Sequence, residues 1–515
     1  MAVNGSPMRL RRTTDARHGP RHLPFAVLAA GEGARMEHTD TDLCYLTATE
    51  AISRFKDGSL SPVELMNAVV KRSEDLRETL NPLTYDYFER ALEQARKAEA
   101  IYARNPGEAR PLEGIPCAIK DWHSVAGEIT TYGSKAFRHH RPEASAPTVD
   151  RLLDAGAIMH CRTTTPEQAH SGVTKSPLWG VTRNPWNTRF SPGGSSGGAG
   201  AALAAGMTTI ADGTDGGGSI RIPASANGVV GYKPPFGRNP TDREHPSEAV
   251  LHYGPLTRSV ADAALMQNVM SGQHPADIHS LRDRVVVPDR FEGIAGKRIG
   301  LSMDLGYFEV DEEVQENTRR AAAVFEGLGA HVDVVDLGWD PSVLNAWLTN
   351  WKGLFWALAG DQLPRWRWEL DPFVVSLIEG GRDVTVADFY DVNRVRYEMY
   401  QEIGRLFETY DLIICPTLAV PSVAADHDND DDTFTINGRP VFPYLGWAMT
   451  YPFNLVSPLP VASVPSGFSP TTGVPTGLQI VGHAFDDLSV FAAAAAFEQS
   501  APWHVHYTRV DPATH

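Results

Sequence analysis

The sequence has few cysteines and no long apolar run, and each of these absences excludes a class of protein. Its four cysteines, Cys44, Cys117, Cys161 and Cys415, lie far apart and form no CxxC or Cys/His spacing. This spacing argues against a disulfide framework and against a zinc site, and it is typical of a reducing compartment, so we expect a cytoplasmic protein without a bound metal. No stretch approaches the roughly 18 apolar residues that a membrane-spanning helix requires.

Positive charge is also scarce, because 63 acidic residues outnumber 46 lysines and arginines and leave a net charge of −17. A surface of that sign repels nucleic acid and anionic membranes, so we expect neither as a partner. The GxSxG and HExxH motifs are missing as well. The acidic string DHDNDDD at residues 426–432 has no glycine or glutamate where a calcium loop needs them, so it predicts a solvated loop.

The first 35 residues differ from the rest in composition. They carry six arginines and one short apolar run that Pro24 interrupts, which is a poor match to a secretory leader. We therefore expect residues 1–35 to be a disordered leader or an extension upstream of a start at Met36. A chain of 515 residues is long enough for two domains, but we expect residues 36–515 to form a single one.

Local patterns predict alternating helices and strands. Helices are expected to begin at Thr47 and at a capping box from Ser61 to Glu64, and a long amphipathic helix is expected at residues 88–104. Strand-like apolar runs and helical runs then alternate, at residues 115–120, 148–157, 157–162, 297–302, 314–330, 331–337 and 411–417. Such alternation predicts an α/β fold with a layered sheet.

Six of the eleven tryptophans lie in residues 339–368, a segment that we expect to be helical. Two interpretations are open. The rings could form a helical layer packed on the sheet, since large aromatic side chains dominate core burial. They could also form an aromatic wall over a pocket that accepts a bulky apolar substrate. The two are compatible, because a pocket wall is itself part of the core.

The stretch DGTDGGGSIRIP, residues 212–223, places Ser219 directly behind three glycines. Glycine loses more conformational entropy on folding than any other residue, so a run of three requires a reason. The run could be a tight turn, a cradle of bare amides for a phosphate, or an oxyanion hole beside a nucleophilic Ser219. The choice among these three depends on the rest of the chain.

Two further elements favour the oxyanion hole. Ser195 and Ser196 lie between two glycine pairs, and Lys120 ends the apolar run GIPCAIK, whereas none of the 18 histidines lies in a recognisable triad context. A serine nucleophile needs a base within hydrogen-bond reach. A lysine can be that base only when neutral, so burial must lower its pKa from the ordinary value of about 10.4 by roughly three units, which costs about 4 kcal/mol. A second serine could relay the proton between the lysine and the nucleophile.

These motifs closely resemble the amidase signature family. The resemblance rests on Lys120, Ser195 and Ser219, in that order and 75 and 24 residues apart, and on the stretches NPWNTRFSPGGSSGG, NGVVGYKPPFGR and DLIICPT. It covers nearly the whole chain from Thr47 to Glu498. It implies an α/β/α sandwich around a central mixed, mostly parallel twisted sheet, and an enzyme that needs neither a metal nor a cofactor.

The resemblance also implies roles for the site residues. Ser219 is expected to be the acylated nucleophile, Ser195 the proton shuttle that follows a cis peptide bond, and Lys120 the base. The oxyanion hole is expected to consist of the backbone amides of Gly216, Gly217, Gly218 and Ser219.

Supporting roles and two departures from the family pattern complete the expected site. Ser196 is expected to hydrogen-bond Lys120, and Asp215 and Arg221 to pair and hold the loop. The family commonly has threonine where this chain has Gly216, and we interpret the missing side chain as extra room for substrate. The family commonly has asparagine where this chain has Trp122, which we interpret as a change in the pocket wall.

We therefore expect a hydrolase that cleaves C–N acyl bonds through an acyl-enzyme and that also accepts esters. The tryptophans and Gly216 favour bulky amides, anilides or aryl carbamates (urethanes), so the expected partner is a small molecule; a homodimer is left open. One alternative is a glutaminase like the A subunit of glutamyl-tRNA amidotransferase, whose partners would carry the RNA. A non-catalytic protein with a binding or assembly role is disfavoured, because only chemistry requires Lys120, Ser195 and Ser219 together.

Overall fold

The structure is a computed structural model that describes residues 40–242 and 249–510. The predicted leader at residues 1–35 lies outside the described residues, so its boundary stays a prediction. The described strands are β1 (Leu83–Asp86), β2 (Pro116–Lys120), β3 (Ile158–Thr163), β4 (Lys175–Ser176), β5 (Gly180–Val181), β6 (Ile210–Asp215), β7 (Val230–Lys233), β8 (His252–Thr257), β9 (Arg298–Leu301), β10 (His331–Val334), β11 (Leu412–Pro416), β12 (Thr435–Ile436), β13 (Arg439–Pro440), β14 (Val461–Phe468) and β15 (Pro475–Gly482).

Helices fill most of the intervals between the strands. They are α1 (Asp40–Cys44), α2 (Ala48–Asp57), α3 (Pro62–Leu80), α4 (Phe88–Arg104), α5 (Pro147–Asp154), α6 (Gly197–Ala204), α7 (Arg221–Asn227), α8 (Val260–Met270), α9 (Glu312–Gly327), α10 (Ser342–Ala359), α11 (Leu363–Trp366), α12 (Pro372–Gly380), α13 (Val386–Phe407), α14 (Pro452–Leu455) and α15 (Asp487–Ser500). Short 3₁₀ turns occur at Pro106–Glu108, Lys135–Phe137, Glu167–Ala169, Gly360–Gln362 and His504–Arg509.

The local signals in the first hundred residues are confirmed. The Thr47 hydroxyl accepts the Glu50 N–H and caps α2. At the start of α3 the Ser61 hydroxyl accepts the Glu64 N–H at 3.1 Å, and the Glu64 carboxylate accepts the Ser61 N–H at 2.8 Å. Both bonds satisfy backbone donors that a helix start otherwise leaves unpaired. Helix α4 has the bounds predicted from its apolar periodicity.

Eleven strands form one mixed sheet in the order β1-β3-β2-β6-β8-β7-β14-β15-β11-β9-β10. The α/β fold with a mixed sheet is therefore confirmed. Four neighbouring pairs are parallel and six are antiparallel, so the expectation of a mostly parallel sheet is wrong. The antiparallel pairs lie mainly in the middle, from β6 to β11. One of them, β14 with β15, is joined by residues 469–474, which are too few for the crossover that parallel neighbours require.

Both faces of this sheet are covered. In β11, Leu412 and Ile414 pack into one hydrophobic cluster, whereas Ile413 and Cys415 pack into another. In β2, Ala118 belongs to the first cluster and its neighbours in the strand belong to a third. Because successive side chains of a strand point to opposite faces, the sheet has an apolar layer on each side, as an α/β/α sandwich requires.

The tryptophan-rich segment is only partly a layer on the sheet. Helix α10 carries Trp347 and Trp351 and packs mainly against α12 and α13. Trp339 is buried in the loop before α10, whereas Trp368 is 91% exposed. The predicted aromatic layer is therefore packed between helices. Two of its rings, Trp347 and Trp351, contact the glycine run described below.

Three smaller features bear on the expected class of protein. The four cysteines are free and buried, and residues 426–432 form a loop. Among the helices of the described ranges, none combines the length and the apolar character needed to cross a membrane. Within residues 40–242 and 249–510, no three His, Cys, Asp or Glu side chains are grouped closely enough to hold a metal ion.

Candidate active site

Two neighbouring strands bring the lysine and the glycine run to the same edge of the sheet. Strand β2 ends at Lys120, and β6 ends at Asp215, immediately before the glycines. The two strands are parallel, so their carboxyl ends meet. The Lys120 backbone N–H donates to Asp212 Oδ1 at 2.7 Å, which ties the end of β2 to β6.

The Lys120 side chain is fully buried, with an exposed fraction of 0%. Its Nζ donates to Ser195 Oγ at 2.7 Å and to Thr214 Oγ1 at 2.7 Å, and it forms no ion pair with a carboxylate of the described residues. Burial lowers the pKa of Lys120 to about 7, although the negative charges of Asp212 and Asp215 partly oppose this shift. An amine in this environment is neutral in a large fraction of molecules at physiological pH, so it can accept a proton.

The serine pair leads into α6. The peptide bond between Gly194 and Ser195 is cis, and both serine side chains are buried. The Ser196 hydroxyl accepts the N–H of Thr214 at 3.4 Å instead of contacting Lys120. The predicted Ser196 to Lys120 hydrogen bond is therefore wrong, because the Thr214 hydroxyl takes that place on the lysine.

Ser219 lies beside the serine pair. Its carbonyl accepts the Ser196 backbone N–H at 3.2 Å. Ser219 is half-buried, whereas Lys120, Ser195 and Ser196 are fully buried. Within the part of the chain that the structure describes, its hydroxyl forms no hydrogen bond. Ser219 is thus the least buried residue of this group.

The backbone of the glycine run has free donors. The N–H groups of residues 216–219 are not hydrogen-bonded to any residue in the described ranges. Gly218 has φ +125°, a conformation that side chains strongly disfavour, and a Cβ placed there would collide with Thr450 Oγ1. Glycine at this position is therefore required both by the backbone conformation and by the close approach of Thr450.

A buried ion pair holds the two ends of the run together. Asp215 precedes the glycines and Arg221 follows Ser219, and their side chains form two hydrogen bonds at 2.9 and 2.8 Å. Both are fully buried, and Arg221 also donates to the Asn454 side chain at 2.7 Å and to Gln479 Oε1 at 2.7 Å. Burial alone would raise the pKa of Asp215, but Arg221 and Asn454 hold it well below its usual range.

The space beside Gly216 is already occupied. A Cβ on Gly216 would lie 3.3 Å from the Trp351 ring, and one on Gly217 would lie 2.8 Å from the Trp347 ring. The interpretation of Gly216 as extra room for substrate is therefore wrong, since the Trp351 indole fills that room. Trp122 is buried and packs edge-on against Tyr132, with ring centroids 5.4 Å apart.

Three groups that shape this site were not among the site residues expected from the sequence, although Thr214 lies within the stretch DGTDGGGSIRIP. Thr214 hydrogen-bonds Lys120 Nζ, and its signal is its position two residues after Asp212, which places both side chains on the same face of β6. Asn454 and Thr450 reach the glycine run from more than 200 residues away. No local pattern marks these two, because their contacts exist only in the folded chain.

Residues 64–491 match the family model described as Amidase. The chain belongs to the amidase signature family. It is 34% identical to the acylamidase of Rhodococcus erythropolis over 90% of this chain and 97% of that one.

Other members of the amidase signature family are similar to the same extent. In Desulforapulum autotrophicum, the A subunit of glutamyl-tRNA(Gln) amidotransferase is 34% identical over 90% of this chain and 98% of that one. The crystal structure of a bacterial aryl acylamidase of the family superposes with a TM-score of 0.83 at 32% identity, over 92% of this chain and 99% of that one. The chain is accordingly an amidohydrolase that acts on C–N bonds of amides.

Proposed function

We propose that this amidase cleaves bulky amides, anilides or aryl carbamates through a Ser219 acyl-enzyme. The observation that carries the proposal is the fully buried Lys120, whose Nζ lies 2.7 Å from Ser195 Oγ, beside the half-buried Ser219. Neutral Lys120 accepts the proton of Ser195 while Ser195 accepts the proton of Ser219, and Ser219 Oγ attacks the carbonyl carbon. The Thr214 hydroxyl keeps the amine directed at Ser195.

The free amides after β6 would stabilise the tetrahedral intermediate. As Ser219 attacks, the carbonyl oxygen becomes an oxyanion, which backbone donors of the glycine run can bind without rearrangement. The amine then leaves with the proton that returns through Ser195, and water repeats the sequence on the acyl-enzyme. Apart from the attacking water, each step uses only groups of this chain, namely three side chains and the backbone amides of the glycine run. Esters offer the same carbonyl geometry.

The choice of acyl amides and anilides as substrates is supported by the relatives. An acylamidase and an aryl acylamidase are among the proteins that this chain resembles over nearly its full length. The A subunits of glutamyl-tRNA amidotransferases are equally similar, so glutaminase activity is the alternative that an experiment must separate. The charge of −17 means that RNA binding in that alternative would fall to other proteins of the complex.

A substrate panel tests the proposal. Purified protein and its Ser219→Ala variant are assayed on an acyl p-nitroanilide, an aryl carbamate, a p-nitrophenyl ester and glutamine. We expect turnover of the first three by the wild type and none by the variant. Turnover of the anilide by Ser219→Ala would overturn the nucleophile assignment. Glutamine as the only good substrate would replace the proposed substrate class by the glutaminase alternative.

A further inference from the structure

The carbonyl groups of the glycine run are all hydrogen-bonded, in contrast to its free amides. Four consecutive carbonyls accept a donor from outside the run, three of them from side chains of distant segments. The pairs are Asp215 with Asn454 Nδ2 at 2.9 Å, Gly216 with Trp347 Nε1 at 3.2 Å, Gly217 with Thr450 Oγ1 at 2.6 Å, and Gly218 with the Ile222 backbone N–H at 2.6 Å.

These bonds determine where the amides point. In a trans peptide unit the C=O and N–H bonds are antiparallel, and the peptide bonds of the run are trans. A donor that holds the carbonyl of Gly216 therefore directs the N–H of Gly217 to the opposite side. In the same way, a donor on the carbonyl of Gly217 directs the N–H of Gly218.

We infer that Trp347 and Thr450 are positioning residues of the oxyanion hole. The inference rests on the proposed function, because it assumes that the amides of the run bind the oxyanion. Neither side chain needs to touch the substrate, since each acts through the carbonyl of a peptide unit whose amide makes the contact. Both side chains also pack tightly against the run. A Cβ on Gly217 would lie 2.8 Å from the Trp347 ring, and one on Gly218 would collide with Thr450.

Glycine requires such external support. A run of three glycines has wide conformational freedom, so its peptide planes would rotate unless something held them. The buried pair of Asp215 and Arg221 holds only the two ends of the run. Trp347 on α10 and Thr450 before α14 hold the peptide planes between those ends. An oxyanion hole lowers the barrier only when its donors are already oriented, because reorientation would otherwise be part of the barrier.

The expected effect is a loss in kcat with little change in KM. The oxyanion exists only in the transition state and the intermediate, so misdirected amides weaken those states more than the bound substrate. Removal of an oxyanion donor itself lowers kcat about 10²- to 10³-fold. Loss of a residue that orients the donor is expected to be milder, and we predict a decrease of about 10-fold.

The test uses two variants at the site and two matched controls. Thr450→Val and Trp347→Phe remove one donor each and keep most of the side-chain volume. Thr318→Val and Trp339→Phe remove similar buried donors elsewhere, which bind the carbonyls of Val314 and Met399. The assays are kcat and KM on an acyl p-nitroanilide, and inhibition by an aryl boronic acid, which forms a tetrahedral adduct with an active serine.

We expect both site variants to lose kcat about 10-fold, to bind the boronic acid more weakly by a similar factor, and to keep KM within about 2-fold. Thr450→Ser, which restores the hydroxyl, should recover most of the activity, and the controls should resemble the wild type. A wild-type kcat in Thr450→Val and Trp347→Phe would overturn the inference, as would an equal loss in the controls.

A separate measurement distinguishes the failure of the inference from that of the proposed function. Wild-type protein is treated with a fluorophosphonate, and the labelled residue is located by peptide mass spectrometry. Label on Ser219 together with unchanged variants rejects only the positioning roles. Label on another residue rejects the proposed function, and the positioning roles with it.

Discussion

The pH dependence of acylation tests the role of Lys120 quantitatively. Its pKa is lowered to about 7 by burial. At pH 7 about half of the lysine is then neutral, compared with about 1 in 2,500 for a lysine of ordinary pKa near 10.4. The neutral form is the base, so kcat/KM should rise as pH increases through about 7. We expect an increase of about 50-fold from pH 5 to 7 and only about 2-fold from pH 7 to 9.

The assay is kcat/KM on an uncharged acyl p-nitroanilide between about pH 5 and 9 at constant ionic strength. Glu498→Gln is the control. Burial also raises the pKa of Glu498 to about 7, but its carboxylate accepts the Val260 N–H at the start of α8 and has no part in the proposed chemistry. The wild-type profile should persist in this variant. A rate that is independent of pH, or one that rises only above about pH 9, would refute the neutral lysine.

Three further outcomes follow from the same contacts. Lys120→Ala should lower p-nitroanilide hydrolysis more than hydrolysis of an activated p-nitrophenyl ester, whose leaving group needs no proton; equal losses would contradict the acid role of the lysine. Arg221→Met should decrease the free energy of unfolding in urea by about 3–5 kcal/mol, because it leaves Asp215 buried without its partner; a decrease below about 1 kcal/mol would show that the pair is dispensable. Gly216→Thr should lower both activity and melting temperature, because the new side chain meets the Trp351 ring, and an unchanged melting temperature would argue against that contact.

The sequence was most informative where a feature depends on neighbouring residues. The capping box at Ser61, the bounds of α4 and the strand that ends in Lys120 follow from local hydrogen bonding and periodicity. The motifs around Lys120, Ser195 and Ser219 indicated the family, because each combines glycines with a reactive side chain. The structure places Lys120 Nζ 2.7 Å from Ser195 Oγ and the Ser219 carbonyl on the Ser196 N–H, while the catalytic roles of the three residues stay a prediction.

The sequence was least informative about contacts between distant segments. The expectation of a mostly parallel sheet was wrong because the pairing of strands far apart in the chain, such as β7 with β14, carries no local signal. The room at Gly216 was misjudged because the Trp351 ring that fills it lies 135 residues further along the chain. Thr450 carries no local motif, and Trp347 is marked only as one of six clustered tryptophans, so only the folded chain shows that they hold the carbonyls of the glycine run.

The most direct test of the account is to trap the acyl-enzyme. Wild-type protein is mixed with a slowly deacylating aryl carbamate, quenched in acid and analysed by intact and peptide mass spectrometry. The account predicts one acyl group per chain, attached to Ser219, and its slower appearance in Ser195→Ala and Lys120→Ala. An adduct on Ser195 or Ser196, or turnover without any covalent adduct in repeated quenches, would contradict it.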